Sequence, residues 1–169
     1  MNDLPYRPNV GAALFNRQGL VFIGRRADQP DTSKLLWQMP QGGIDEGEDP
    51  RVAVLRELEE EIGTARATIM AEHPEWLTYE LPEDVRPHVL AGRYRGQRQK
   101  WFALRFDGID ADIALDRHTH PEFVEWRWAE LTELPELCVS FKREVYEKVT
   151  ASFSRFGNDS SLVNQANPD

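Results

Sequence analysis

Residues 42–63 read GGIDEGEDPRVAVLRELEEEIG, and the rest of the chain is organised around this stretch. Asp49 followed by Pro50 is a helix start: a short acid side chain can accept the unpaired N–H groups of the first turn, and proline suits the first helical position. The helix is predicted to run to about Ile62 and to stop at Gly63, because glycine tolerates the left-handed backbone of a C-cap. At about 100° per residue, Val54, Leu55, Leu58 and Ile62 fall on one side. Glu57, Glu60 and Glu61 share a second arc, while Glu59 points into solvent. Carboxylates roughly 5–6 Å apart on neighbouring turns repel by about 3 kcal/mol at an effective dielectric of ~20. Either these acids are a solvated helix face or they are collected for a cation. A hard divalent ion such as Mg²⁺, which prefers carboxylate and water oxygens, reverses the sign of that repulsion. Gly42 and Gly43 upstream let the backbone come close to such an ion and to a phosphate.

Outward from the helix, NVGAALFNRQGLVFIGRR reads as a hairpin, with Val10–Phe15 and Leu20–Ile23 around the turn residues 16–19. LLWQMP (Leu35–Pro40) is a short strand ended by proline, and QGG then reads as a loop. TIMAEHPEWLTYELP suggests two strands broken at Pro74, and residues 84–97, rich in Pro, Gly and Arg, read as a loop. Gln99–Gly108 and Phe123–Leu131 are further strands. Phe141, Val145, Val149 and Phe153 sit at helical spacing in a C-terminal amphipathic helix. Strands mixed with two helices predict an α/β fold, a sheet covered by helices. A single domain over residues 1–156 is expected, with a polar, disordered tail over 157–169.

The net charge of −9 argues against a broad basic face for nucleic acid, though not against a local basic pocket for one phosphate chain. No DNA partner is expected. With one cysteine, Cys138, neither an intrachain disulfide nor a zinc cluster can form. The opening MNDLPYRPNV lacks the layout of a signal peptide, and no apolar run reaches membrane-spanning length. A cytoplasmic location is the expectation.

Gly42, Glu48, Arg56, Glu57, Glu60, Glu61 and Gly63, with aliphatic Leu58, fit the pattern G-x₅-E-x₇-R-E-U-x-E-E-x-G. At about 7% per residue, seven fixed identities arise by chance roughly once in 10⁸ starting points. The stretch resembles the Nudix box, the signature of the Nudix hydrolases; Thr64 departs from it where the family ends in an aliphatic residue. YRPNVGAAL, LWQMPQGGIDEGEDP, WLTYELP, QRQKWFALRF, PEFVEWRW and VSFKREVY together look like bacterial RNA pyrophosphohydrolases and the similar plant-type diadenosine tetraphosphate hydrolases.

The resemblance implies a Nudix-type α/β/α sandwich with a mixed central sheet. It also implies metal-dependent hydrolysis of a phosphoric anhydride, using more than one Mg²⁺ ion, or Mn²⁺ in its place. On it, Glu57, Glu60 and Glu61 are metal ligands, and Glu122 in PEF is a further ligand or the base for the attacking water. Glu48 and Arg56 are a structural pair. Arg7, Arg25, Arg26, Lys100 and Lys142 are candidates for gripping the polyphosphate, Arg7 and Lys142 foremost, with Gly42 and Gly43 at the phosphate. Tyr79, Val139 and Phe141 resemble positions that hold a base, although Phe141 also suits the core face of its helix. His118 and His120 are read as plain polar residues and Cys138 as buried filler. The substrate implied is the 5′ end of triphosphorylated RNA, cut to a monophosphate end and pyrophosphate. The alternative is diadenosine tetraphosphate, cut to ATP and AMP. A catalytically silent nucleotide-binding adaptor would have lost box carboxylates, all of which are present. A plain acidic interaction protein does not explain the seven-identity match.

Overall fold

The computed structural model describes residues 3–28 and 37–157. Strand β1 (Tyr6–Phe15) is buried on both faces from Asn9 onward, as expected of a strand covered on both sides. Its side chains alternate with period two. Val10, Ala12 and Leu14 enter one core with Phe22, Phe102 and Leu104, and Ala13 and Phe15 enter the other with Trp101 and Ala103.

In chain order, β1 is followed by β2 (Val21–Arg26), β3 (Trp37–Gln38), β4 (Gln41–Gly43), helix α1 (Pro50–Ile62), β5 (Ala67–Glu72), β6 (Leu77–Glu80), β7 (Gly96–Phe106), β8 (Phe123–Ala129), and helices α2 (Leu134–Leu137) and α3 (Arg143–Ser152). The sheet runs β3-β2-β1-β7-β5, with β4 also on β1, β6 on β7 and β8 on β2. It is mixed: β1 and β7 are parallel from Tyr6↔Gly96 to Phe15↔Arg105, and the other pairs are antiparallel. Ala53, Val54, Leu58 and Ile62 of α1 close one core; Val145, Tyr146 and Val149 of α3 close the other. This is the expected α/β/α sandwich.

Helix α1 has the predicted ends. The Asp49 side chain accepts the Arg51 N–H at 2.8 Å, and Gly63 caps the other end at φ 81° with its N–H on the Glu59 carbonyl. Leu55 is only half-buried, and Ala53 takes the core position beside Val54.

Several boundaries differ from the sequence expectation. QGG is not a loop but β4, paired with β1 through Asn9↔Gly43, Val10↔Gly42 and Gly11↔Gln41. Glycine weakens a strand's local preference, and here the cross-strand pairing overrides it. Strand β1 begins at Tyr6 rather than Val10, because β7 supplies a partner along its full length. Residues 84–97 hold two 3₁₀ turns, and Gly96 and Gln97 belong to β7. Phe141 lies in a 3₁₀ turn before α3 instead of inside that helix. Leu35 and Leu36 of the expected LLWQMP strand, and residues 158–169 of the expected tail, lie outside the described residues.

Candidate active site

The three glutamates of the α1 arc meet different surroundings. Glu61 faces inward, only 7% exposed, and its Oε2 accepts the Gln41 N–H from β4 at 3.2 Å. Burial holds its pKa well above the ordinary carboxylate value, and the like charges of Glu122 and Glu57 add to the effect. Burial also raises Glu57, against the pull of Arg56 and with a push from Glu60. Glu60 is exposed at the rim.

Arg56 binds this corner together. It donates to Glu48 at 2.7 and 2.8 Å, to Glu57 at 2.9 Å, to Glu60 at 3.3 Å and to the Gly43 carbonyl at 2.9 Å. The fork of five donors lets one side chain tie the 43–48 loop to the helix. The Arg56 guanidinium and the Asp45 N–H hold the Glu48 carboxyl down at about 2. A Cβ on Gly42 would overlap the Glu57 carboxyl group, so a side chain here would displace that carboxylate from its present place.

Among the described residues, no group of three or more His, Cys, Asp or Glu side chains forms a ready-made metal shell, because Glu57 and Glu60 both lean onto Arg56 while Glu61 turns inward. The donor set nonetheless fits a hard cation. It is all oxygen, and it keeps a buried carboxylate beside two like charges that raise its proton affinity, so a divalent ion can take the place of that proton.

Beside the acids opens a cleft of about 350 Å³. Of the residues singled out from the sequence, Arg7, Arg26, Gly42, Tyr79, Glu122, Val139, Phe141 and Lys142 line it. The Tyr79 and Phe141 rings stand 5.6 Å apart and tilted by 35°. Lys142 is 3% exposed, donates to Gln38 Oε1 at 3.0 Å and lies 5.7 Å from the Tyr79 ring centre. Burial, aided by the positive charge of Arg26, pushes its pKa down to about 8.

Other expected residues stand elsewhere. Arg25 projects from β2 to Glu125 on β8, at 2.5 Å, and does not line the cleft. Lys100 is held by Glu72 and the Pro74 carbonyl, both at 3.1 Å, on the opposite face of β7 from Gln97 and Gln99. Gly43 is buried beneath Arg7. Asn9, Gln38, Gln41 and Gln97 line the cleft without having been singled out, as do Val85, Val89 and Leu90 from the 3₁₀ segment. The alternation of Arg7 with Asn9, and of Gln97 with Gln99, carried a signal for a shared strand face once both strands are extended to their true starts.

Among the described residues no helix is long and apolar enough to cross a membrane. The NUDIX domain model matches residues 5–149. A relative named RNA pyrophosphohydrolase, from Gluconacetobacter diazotrophicus, is 59% identical over 91% of this chain and 95% of its own length. One of the same name from Acidiphilium cryptum is 58% identical over 90% and 93%. Among solved structures, a C. elegans Ap4A hydrolase superposes with a TM-score of 0.61 over 88% of this chain and 98% of its own, at 20% identity, a likeness of fold alone. With the glutamate arc, the Arg56 clasp and the β4–α1 corner all inside the matched span, the chain belongs to the NUDIX domain family, whose hydrolases work with a divalent metal ion.

Proposed function

We infer that the chain is an RNA pyrophosphohydrolase, which cuts a 5′-triphosphate end to a 5′-monophosphate and releases pyrophosphate. The observation that carries this reading is one cleft whose lining runs from Glu122 and the Gly42 backbone to the facing rings of Tyr79 and Phe141. Acidic and basic side chains and an aromatic wall thus share one cavity, as a phosphate chain joined to a base would require. The name borne by relatives at 58–59% identity supports the same substrate.

Glu57, Glu60, Glu61 and Glu122 would hold divalent metal, Mg²⁺ in the first place and more than one ion. Bound there, the metal supplies charge neutralisation at the phosphoryl oxygens. The protein groups do the rest. The Gln41 N–H orients Glu61. Arg7, Arg26 and Lys142 receive phosphate oxygens through charge-assisted hydrogen bonds. Glu57 or Glu122 takes the proton of the attacking water; a carboxyl raised toward neutrality by burial, as Glu57 is, suits that task. Water adds to phosphorus, one P–O bond of the anhydride breaks, and pyrophosphate leaves. Tyr79, Phe141 and Val139 hold the base of the terminal nucleotides. Such a reaction belongs in the cytoplasm, where nascent triphosphate ends are found.

The test compares kcat/KM for 5′-triphosphorylated RNA and diadenosine tetraphosphate at equal concentration, with Mg²⁺, with Mn²⁺ and with chelator. Preference for RNA and loss of turnover with chelator are expected. Preference for the dinucleotide makes the chain a hydrolase of dinucleoside polyphosphates, and product from neither overturns both substrates.

A further inference from the structure

Two side-chain atoms in the lining of the cleft are buried without a hydrogen-bond partner among the described residues: Asn9 Nδ2 and Gln97 Oε1. Asn9 is 1% exposed and Gln97 6%. They project from adjacent parallel strands on one face, since Arg7 pairs with Gln97 and Asn9 with Gln99.

The sense of the Asn9 amide follows from its surroundings. The Trp101 indole N–H can only donate, and it donates to Gln99 Oε1 at 3.0 Å. Gln99 therefore turns its Nε2 outward, where it donates to Asn9 Oδ1 at 2.9 Å and to Gln41 Oε1 at 3.2 Å. With its carbonyl engaged, Asn9 is left with an unpaired donor. Gln97 Nε2 donates to the Tyr79 hydroxyl at 2.7 Å, which leaves Oε1 as an unpaired acceptor. The floor of the cleft thus holds one spare donor and one spare acceptor, at the foot of the ring proposed to stack the base.

Aromatic and aliphatic walls hold any base by its faces, because every base has a π-face. Buried polar groups distinguish bases by their edges, because a mismatched edge leaves them unpaired. We propose that Asn9 and Gln97 are specificity-determining residues that read the edge of the nucleobase held against Tyr79 and Phe141, accepting one that offers an acceptor to Asn9 and an adjacent donor to Gln97. The inference rests on the RNA reading of the site. An amino group beside a ring nitrogen, as in adenine and cytosine, and a ring N–H beside a carbonyl, as in guanine and uracil, present donor and acceptor in opposite order along the edge, so the pair separates these two sets of bases.

The experiment measures kcat/KM on a set of 5′-triphosphorylated RNAs that differ only in the base at the first or the second nucleotide. The whole chain is used, as wild type, Gln97→Met and Asn9→Ser. The methionine keeps the volume and removes the acceptor; the serine withdraws the amide donor. Wild type is expected to spread over about tenfold between the best and worst base at one of the two positions, equivalent to about 1.4 kcal/mol. Either variant should compress that spread to about twofold. Because the readout is a ratio between substrates, a variant that is merely less stable lowers all rates together and leaves the spread intact, which overturns the proposal. A wild-type spread below twofold on RNAs that are turned over overturns it as well while leaving the RNA reading standing. Failure of wild type to cut any of the RNAs removes both.

Discussion

Tyr146 connects the helix on one side of the sheet to the segment that leads into the acidic corner, and removing a single oxygen tests that connection. Its hydroxyl accepts the Met39 N–H at 2.9 Å, and its ring meets Trp101 edge-on at 5.8 Å. Met39 is fully buried and Tyr146 is 1% exposed, so water cannot replace the bond. Tyr146→Phe keeps the ring and its packing but strands the Met39 N–H. Leaving one buried donor unsatisfied costs about 1–3 kcal/mol. For a chain of this size each kcal/mol lowers Tm by about 2–4 °C, so a fall of roughly 2–12 °C is expected. The consequence should reach the site, because Gln41, which holds Glu61, lies two residues on from Met39. Amide exchange at Met39 should quicken, and kcat should fall by a few-fold. Thermal unfolding followed by calorimetry, with exchange measured residue by residue, is the assay. A Tm within 1 °C of wild type with unchanged exchange at Met39 would refute the claim that this hydrogen bond braces the corner.

Glu61→Gln should lower kcat by about 10²–10⁴-fold while Tm stays level or rises, since a neutral amide meets no repulsion from Glu57 and Glu122; near-normal turnover would end its assignment as a metal ligand. Lys142 has its pKa depressed from 10.5 to about 8, so between these values the unfolded chain binds more protons than the folded one, and stability should rise with pH across that window. The full swing is worth roughly 3 kcal/mol. Below about pH 8 Lys142 is charged in both states but buried only in the folded one, so the penalty is complete there and Lys142→Met should raise Tm and flatten the rise; equal pH profiles for the two proteins would contradict this.

Much of the central helix was legible in the sequence. Its caps at Asp49 and Gly63, its core stripe and its acidic arc are set by residues within a turn or two of one another. The hairpin and the spacing of Val145 and Val149 are local in the same sense. The box residues identified the chemistry because seven fixed identities at fixed offsets rarely coincide. The cleft was not legible in this way. Asn9 meets Gln99, 90 residues away, and Tyr79 meets Phe141 across the fold, and no local periodicity encodes such pairs. Nor could the sequence separate Arg26, which lines the cleft, from Arg25, which points to Glu125, or show that Lys100 is engaged by Glu72. The sequence by itself determined the helix that carries the acids, through local hydrogen bonding and hydrophobic periodicity. Tertiary structure alone decided which cations, rings and amides stand around it, because the parallel pairing of β1 with β7 chooses the strand face that side chains distant in sequence must share.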